Sequence, residues 1–123
     1  MKPRGIELGW IVVKDINAAI KFYTDVVGLK LHEHNKDFGW AELSGPEGSR
    51  LGIAQYSAEH SDMKAGSNAV LTLTVDDIQK AREDLLKQKA NLIGDVMEIP
   101  GEVKMQTFKD ADGNTFQLCE LLR

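Results

Sequence analysis

A chain of 123 residues with 42% hydrophobic content is long enough for one compact core and too short for two independent domains of ordinary size. Charged residues make up 28% and the net charge is −4, with Lys and Arg scattered among Asp and Glu, so the basic stripe that captures nucleic acid or an anionic membrane is missing. A single Cys119 excludes an internal disulfide, and no apolar run reaches the roughly 20 residues of a membrane helix or resembles a signal-peptide core, so the expected location is cytoplasmic.

Taken in chain order, Leu8, Trp10 and Val12 alternate with Gly9, Ile11 and Val13, which predicts a strand. Asp15 follows with a side chain suited to capping a helix start, and Ile16, Ala19, Ile20, Tyr23 and Val27 then form an apolar stripe at helical spacing. Gly28 should end that helix. Strands are predicted over 29–34, 38–43 and 50–56, the last two separated by the turn Ser44-Gly45-Pro46-Glu47-Gly48. A polar stretch without periodicity, about 58–68, reads as a linker.

Beyond it, Val70, Thr72 and Thr74 alternate with Leu71, Leu73 and Val75, again as a strand ending at an aspartate, Asp77. Ile78, Ala81, Leu85 and Leu86 make a second helical stripe, expected to fray through Gln88 and Lys89. Three strands follow at 90–98, 103–109 and 115–121, punctuated by Pro100-Gly101 and by the turn Asp110-Ala111-Asp112-Gly113-Asn114.

The second series repeats the first. Val13, Asp15, Ile16 and Ala19 recur as Val75, Asp77, Ile78 and Ala81 at a constant shift of 62 positions. The fold class is therefore α+β: a single domain over 1–123 made of two βαβββ repeats, about 5–57 and 69–122, joined by the linker.

The order and spacing of several short cues carry a family resemblance over nearly the whole chain. They are Val13-Lys14-Asp15 with Ala19 and the Phe22-Tyr23 pair, then Val27-Gly28-Leu29, and near the end Phe108-Lys109-Asp110-Ala111-Asp112-Gly113-Asn114 leading into a last strand. With the internal repeat, they identify the chain as similar to the vicinal oxygen chelate superfamily, the glyoxalase, bleomycin resistance protein and extradiol dioxygenase group. Ala111 stands where family members more often have Pro. The resemblance implies a curled, incomplete barrel around a cup that holds ligand or metal, and a homodimer.

It also implies a divalent metal held by one side chain from each of four strands, usually two His or Gln and two Glu. Carried over, those positions fall on Leu8, on or near Gly52, on Val70 and on Gln117, and only Gln117 has a donor atom. A metal needs several lone pairs converging at about 2 Å, which aliphatic side chains do not offer. No metal or other cofactor is therefore expected, and the metal-dependent activities of the family lose their support.

What remains is the cup. By strand alternation its walls should carry Leu8, Trp10, Val12, Gly52, Ala54, Tyr56, Val70, Thr72, Thr74, Met105, Thr107, Gln117 and Cys119. Such a mostly apolar lining with a few hydroxyl and amide groups suits an organic ligand, aromatic or cationic, although side chains of this kind also serve simply as packing. Trp10 is the favoured ligand platform, offering a rigid face and an N–H.

Trp40 and Glu42 share one strand face, and alternation over so short a segment leaves both orientations open. The cost of burying an unpaired carboxylate favours an outward Glu42; an inward one would be the candidate general base or partner of a cationic ligand. His32 and His34 have a spacing that can chelate, but their charged neighbours favour a solvated strand edge. His60 lies in the linker, and Cys119 has no neighbour that would activate its thiol. The leading functional expectation is a metal-independent small-molecule-binding protein. The alternative is a glyoxalase-like lyase or isomerase, or a dioxygenase-related enzyme, with a divergent site.

Overall fold

In both halves an aspartate leaves a strand in extended conformation, at φ −136° for Asp15 and −137° for Asp77, and turns its carboxylate onto the first N–H groups of a helix. The computed structural model in which this is seen describes residues 2, 4, 8–58, 64–68 and 70–122. The chain divides into two compact units, 1–68 and 69–123.

The first unit runs β1 (Leu8–Val13), α1 (Ile16–Lys21), β2 (Lys30–Asn35), β3 (Trp40–Ser44) and β4 (Arg50–Gln55). Its sheet has the order β1-β4-β3-β2, with β1 parallel to β4 and the other pairs antiparallel. The second repeats the plan with β5 (Leu71–Thr74), α2 (Ile78–Lys87), β6 (Asn91–Ile99), β7 (Val103–Lys109) and β8 (Thr115–Leu121), in the order β5-β8-β7-β6. Two four-stranded mixed sheets, each with one helix, make an α+β protein built from βαβββ repeats.

Each helix packs on one face of its own sheet. Under α1 lie Ile11, Val13, Ala41, Leu43 and Ile53, all at most 1% exposed, with Ile16, Ala19 and Tyr23 closing the layer. Burying the Val, Leu and Ile side chains among these stabilises by about 1.5–3 kcal/mol apiece relative to leaving them in water, which is what holds so short a helix. Under α2, Phe108 and Phe116 stack with centroids 5.5 Å apart among Ile78, Leu85 and Leu118. The last strand of each unit also reaches back to its helix: Gln55 Oε1 accepts from the N–H of Ile16 at 2.8 Å and Glu120 Oε1 from that of Ile78 at 2.9 Å.

Several local details differ from the sequence reading. The first helix does not run evenly to Gly28: beyond Lys21 it widens into a π-helical turn, Phe22–Val26, with Thr24 Oγ1 donating to the carbonyl of Ile20 at 2.8 Å. Gly28, at φ +88°, then reverses the chain as expected. The second helix does not fray; Lys89 takes the left-handed conformation at φ +59°, and the N–H of Ala90 closes on the carbonyl of Leu85 at 2.9 Å. Phe38 belongs to a turn rather than a strand, because Asn35 Oδ1 accepts from the N–H groups of Asp37 and Phe38 and bends the chain there.

In the second sheet β6 advances from Ile93 to Met97 while β7 moves only from Thr107 to Met105, so β6 bulges. Gln106, fully buried, staples the bulge: its Nε2 donates to the carbonyls of Gly94 and Ile93 at 3.1 and 3.3 Å, and its Oε1 accepts from Arg82 Nε at 3.0 Å.

Candidate functional site

Paired residues in a sheet share a face, so the register sorts every side chain of the first unit. Leu8 pairs with Arg50, Trp10 with Gly52 and Val12 with Ala54, while across the next strand Gly52 pairs with Glu42 and Ala54 with Trp40. All of these point away from the layer under α1. The expectation of an outward Glu42 is therefore corrected: Glu42 and Trp40 lie on the same face as Trp10. Tyr56 follows just past the end of β4, with its N–H donated to the carbonyl of Val13, and is exposed.

At the centre of this face is Gly52. A Cβ there would stand 2.4 Å from Cη2 of Trp40, 2.7 Å from its Cζ2 and 2.9 Å from Cβ of Trp10, so the indole of Trp40 lies against a backbone that only glycine leaves bare. The centroids of Trp10 and Trp40 are 6.0 Å apart and their planes cross at 64°, an edge-to-face pair. Trp10 keeps 46% of its surface exposed.

Glu42 fixes the second ring. Trp40 Nε1 donates to Glu42 Oε2 at 2.9 Å, and Arg50 donates to Oε1 at 3.0 Å. The Glu42 side chain is 16% exposed, and two charge-assisted donors offset the cost of covering it. The Trp40 N–H foremost, with Arg50 beside it, holds the Glu42 carboxyl below its ordinary pKa, and partial burial opposes them without prevailing. A carboxylate so stabilised is a weak base, contrary to the role open to an inward Glu42.

Sequence reasoning passed over Arg50. Its signal was the short turn 44–49, which sets Leu43 opposite Leu51 and brings Arg50 diagonally within reach of Glu42.

In the second unit, Gln117 pairs with Thr72 and Thr107, and Cys119 with Thr74 and Met105, all on the face turned away from α2. Val70 stands just ahead of β5 and is exposed, while Cys119 is buried. The same face carries Ile93, Met97, Ile99 and Leu121, each 40–55% exposed, which the sequence reading did not single out.

The positions that would hold a divalent metal do not fit one. Leu8 and Val70 offer no donor, and at Gly52 the space a coordinating side chain would use is filled by the Trp40 ring, leaving Gln117 as the one donor of the four. Among the described residues no group of three or more His, Cys, Asp and Glu is gathered where it could hold an ion. His32 sits in a register shift of β2 with Nε2 2.7 Å from Ser44 Oγ, and His34 pairs with Ala41. His60 lies outside the described residues. Among the described residues, no helix is long and apolar enough to cross a membrane.

This chain belongs to the Glyoxalase/Bleomycin resistance protein/Dioxygenase superfamily, whose family model matches residues 6–118. Its fold is shared with a superfamily member from Sphaerobacter thermophilus DSM 20745, at TM-score 0.82 and 22% identity, covering 96% of this chain and 98% of that one. TnmS3, an antibiotic binding protein from Streptomyces sp. CB03234, also gives TM-score 0.82 and 22% identity, with 98% of each chain covered. TioX from Micromonospora sp. ML1 gives 0.77 at 14% identity, covering 96% and 99%. No curated protein sequence matches the chain.

Proposed function

We propose that this protein is a metal-independent small-molecule binder of the glyoxalase/bleomycin-resistance type, which holds an organic ligand against Trp10 and works as a cytoplasmic homodimer. The observation that carries the reading is the half-exposed Trp10 set at an angle to a Trp40 that is itself pinned by Glu42 and seated on Gly52. An indole left open to solvent beside a ring already held in place offers a stacking platform. That a protein of the same fold, TnmS3, is an antibiotic binding protein supports a binding role. An acid/base chemistry at a divergent site would rest on Glu42, whose two oxygens are both engaged.

Titration of the purified protein with a panel of aromatic and cationic compounds, followed by tryptophan fluorescence, tests this. Saturable quenching that Trp10→Ala weakens by about 1 kcal/mol or more, and that EDTA leaves unchanged, is the expected result. A flat response across the panel would overturn it.

A further inference from the structure

We propose that Glu42 and Gly52 set the specificity of this site: they fix Trp40 so that the two indoles form a corner admitting a flat, fused aromatic ring system and turning away globular apolar molecules of similar hydrophobicity. This rests on the reading of Trp10 as the ligand platform and names the class of ligand it takes.

Three contacts act on one ring. A tryptophan on an open sheet face has two side-chain torsions with which to swing, and each restraint here removes a different freedom. The hydrogen bond from Nε1 to Glu42 Oε2, at 2.9 Å, orients the ring within its plane. The bare backbone of Gly52 lets that plane settle onto the sheet, where a Cβ would collide with Cη2 and Cζ2. Trp10 meets it with the planes 64° apart, so the pair has one wall and one floor rather than two parallel plates. Arg50 completes the device by holding the other oxygen of Glu42, which keeps the acceptor from turning away.

Glu42 is thus a positioning residue that acts through Trp40. A corner of this kind rewards a ligand that is thin in one direction and extended in the other two, because only such a shape can lie along one indole while its edge meets the other. A globular ligand touches both rings at points and forfeits most of the contact.

The test compares 2-naphthol with 1-adamantanol, the first by direct quenching and the second by displacement, in the wild type and in Glu42→Leu, Glu42→Gln and Gly52→Ala. The expected result is a preference for naphthol of about tenfold, the size of one good aromatic contact. Glu42→Leu, which removes the acceptor, and Gly52→Ala, which displaces the ring, should each reduce that preference to near unity. Glu42→Gln, which keeps an oxygen for the indole N–H, should retain it. The indole N–H resonance of Trp40 should move in Glu42→Leu and stay near its wild-type position in Glu42→Gln, a readout that a merely structural role would not give.

If naphthol and adamantanol bind the wild type equally, the corner is refuted while Trp10 survives as a platform. If neither binds, the platform reading falls and this inference with it. A preference that persists in Glu42→Leu also overturns the proposal, and that variant decides the matter if Gly52→Ala does not fold.

Discussion

Gly52 lies directly beneath Trp40, so close that the smallest possible side chain at position 52 would stand 2.4 Å from the indole. Replacing Gly52 with Ala should lift the ring, break its hydrogen bond to Glu42 and overpack the face. The expected cost is about 1–3 kcal/mol, with a changed near-UV circular dichroism spectrum. Urea unfolding monitored in parallel checks it; an unchanged midpoint and spectrum would mean that the ring is not seated there in solution.

Protonation of Glu42 should weaken the same arrangement. Because the folded-state pKa is lowered, the stability Glu42 contributes is fully present above the unfolded carboxyl value, about 4.3, and is lost as pH falls through the lowered folded value. The difference in unfolding midpoint between wild type and Glu42→Gln should therefore shrink on acidification below about pH 4.3. A difference that stays constant down to strongly acidic pH would contradict the assigned partners, Trp40 and Arg50.

Lys89 ends the second helix at φ +59°, a conformation that glycine adopts at no steric cost. Lys89→Gly should raise stability by about 1 kcal/mol, seen as a higher urea midpoint without change in the dependence on denaturant. Lower stability would show that the Lys89 side chain makes a contribution exceeding its backbone strain.

Ligand binding should not depend on a metal. Elemental analysis of protein grown with divalent ions and purified without chelators should find no stoichiometric metal, and dialysis against EDTA should leave naphthol quenching unchanged. About one metal per chain would point to coordination by residues other than Leu8, Gly52, Val70 and Gln117.

Much of the architecture was legible because it depends on periodicity and repetition. The recurrence of Val13, Asp15, Ile16 and Ala19 announced both helix starts, and alternation separated Ile11 and Val13, which the structure buries, from Leu8, Trp10 and Val12. The strands 103–109 and 115–121 were read with the bounds they have in the structure. Less legible was whatever depends on a partner distant in sequence. Trp40 and Glu42 alternate with Ala41 and Leu43, but which pair faces the helix is decided by pairing with Gly52 and Ala54. The argument against an inward carboxylate assumed that it would be unpaired, and the Trp40 N–H and Arg50 remove that premise. The bulge in β6 was hidden because its staple, Gln106, resembles a solvent-facing polar residue until its contacts with Ile93, Gly94 and Arg82 are seen.

The seating of Trp40 on Gly52 also imposes an order on how this protein can change over generations. A coordinating side chain cannot be accommodated at position 52 while the indole occupies the space above it, so any route to a metal ligand there would have to begin with the loss of Trp40. That step would remove one side of the aromatic pair before a ligand side chain at position 52 had formed. The pairing of Trp40 with Gly52 is thereby protected by the sequence in which substitutions can be accepted.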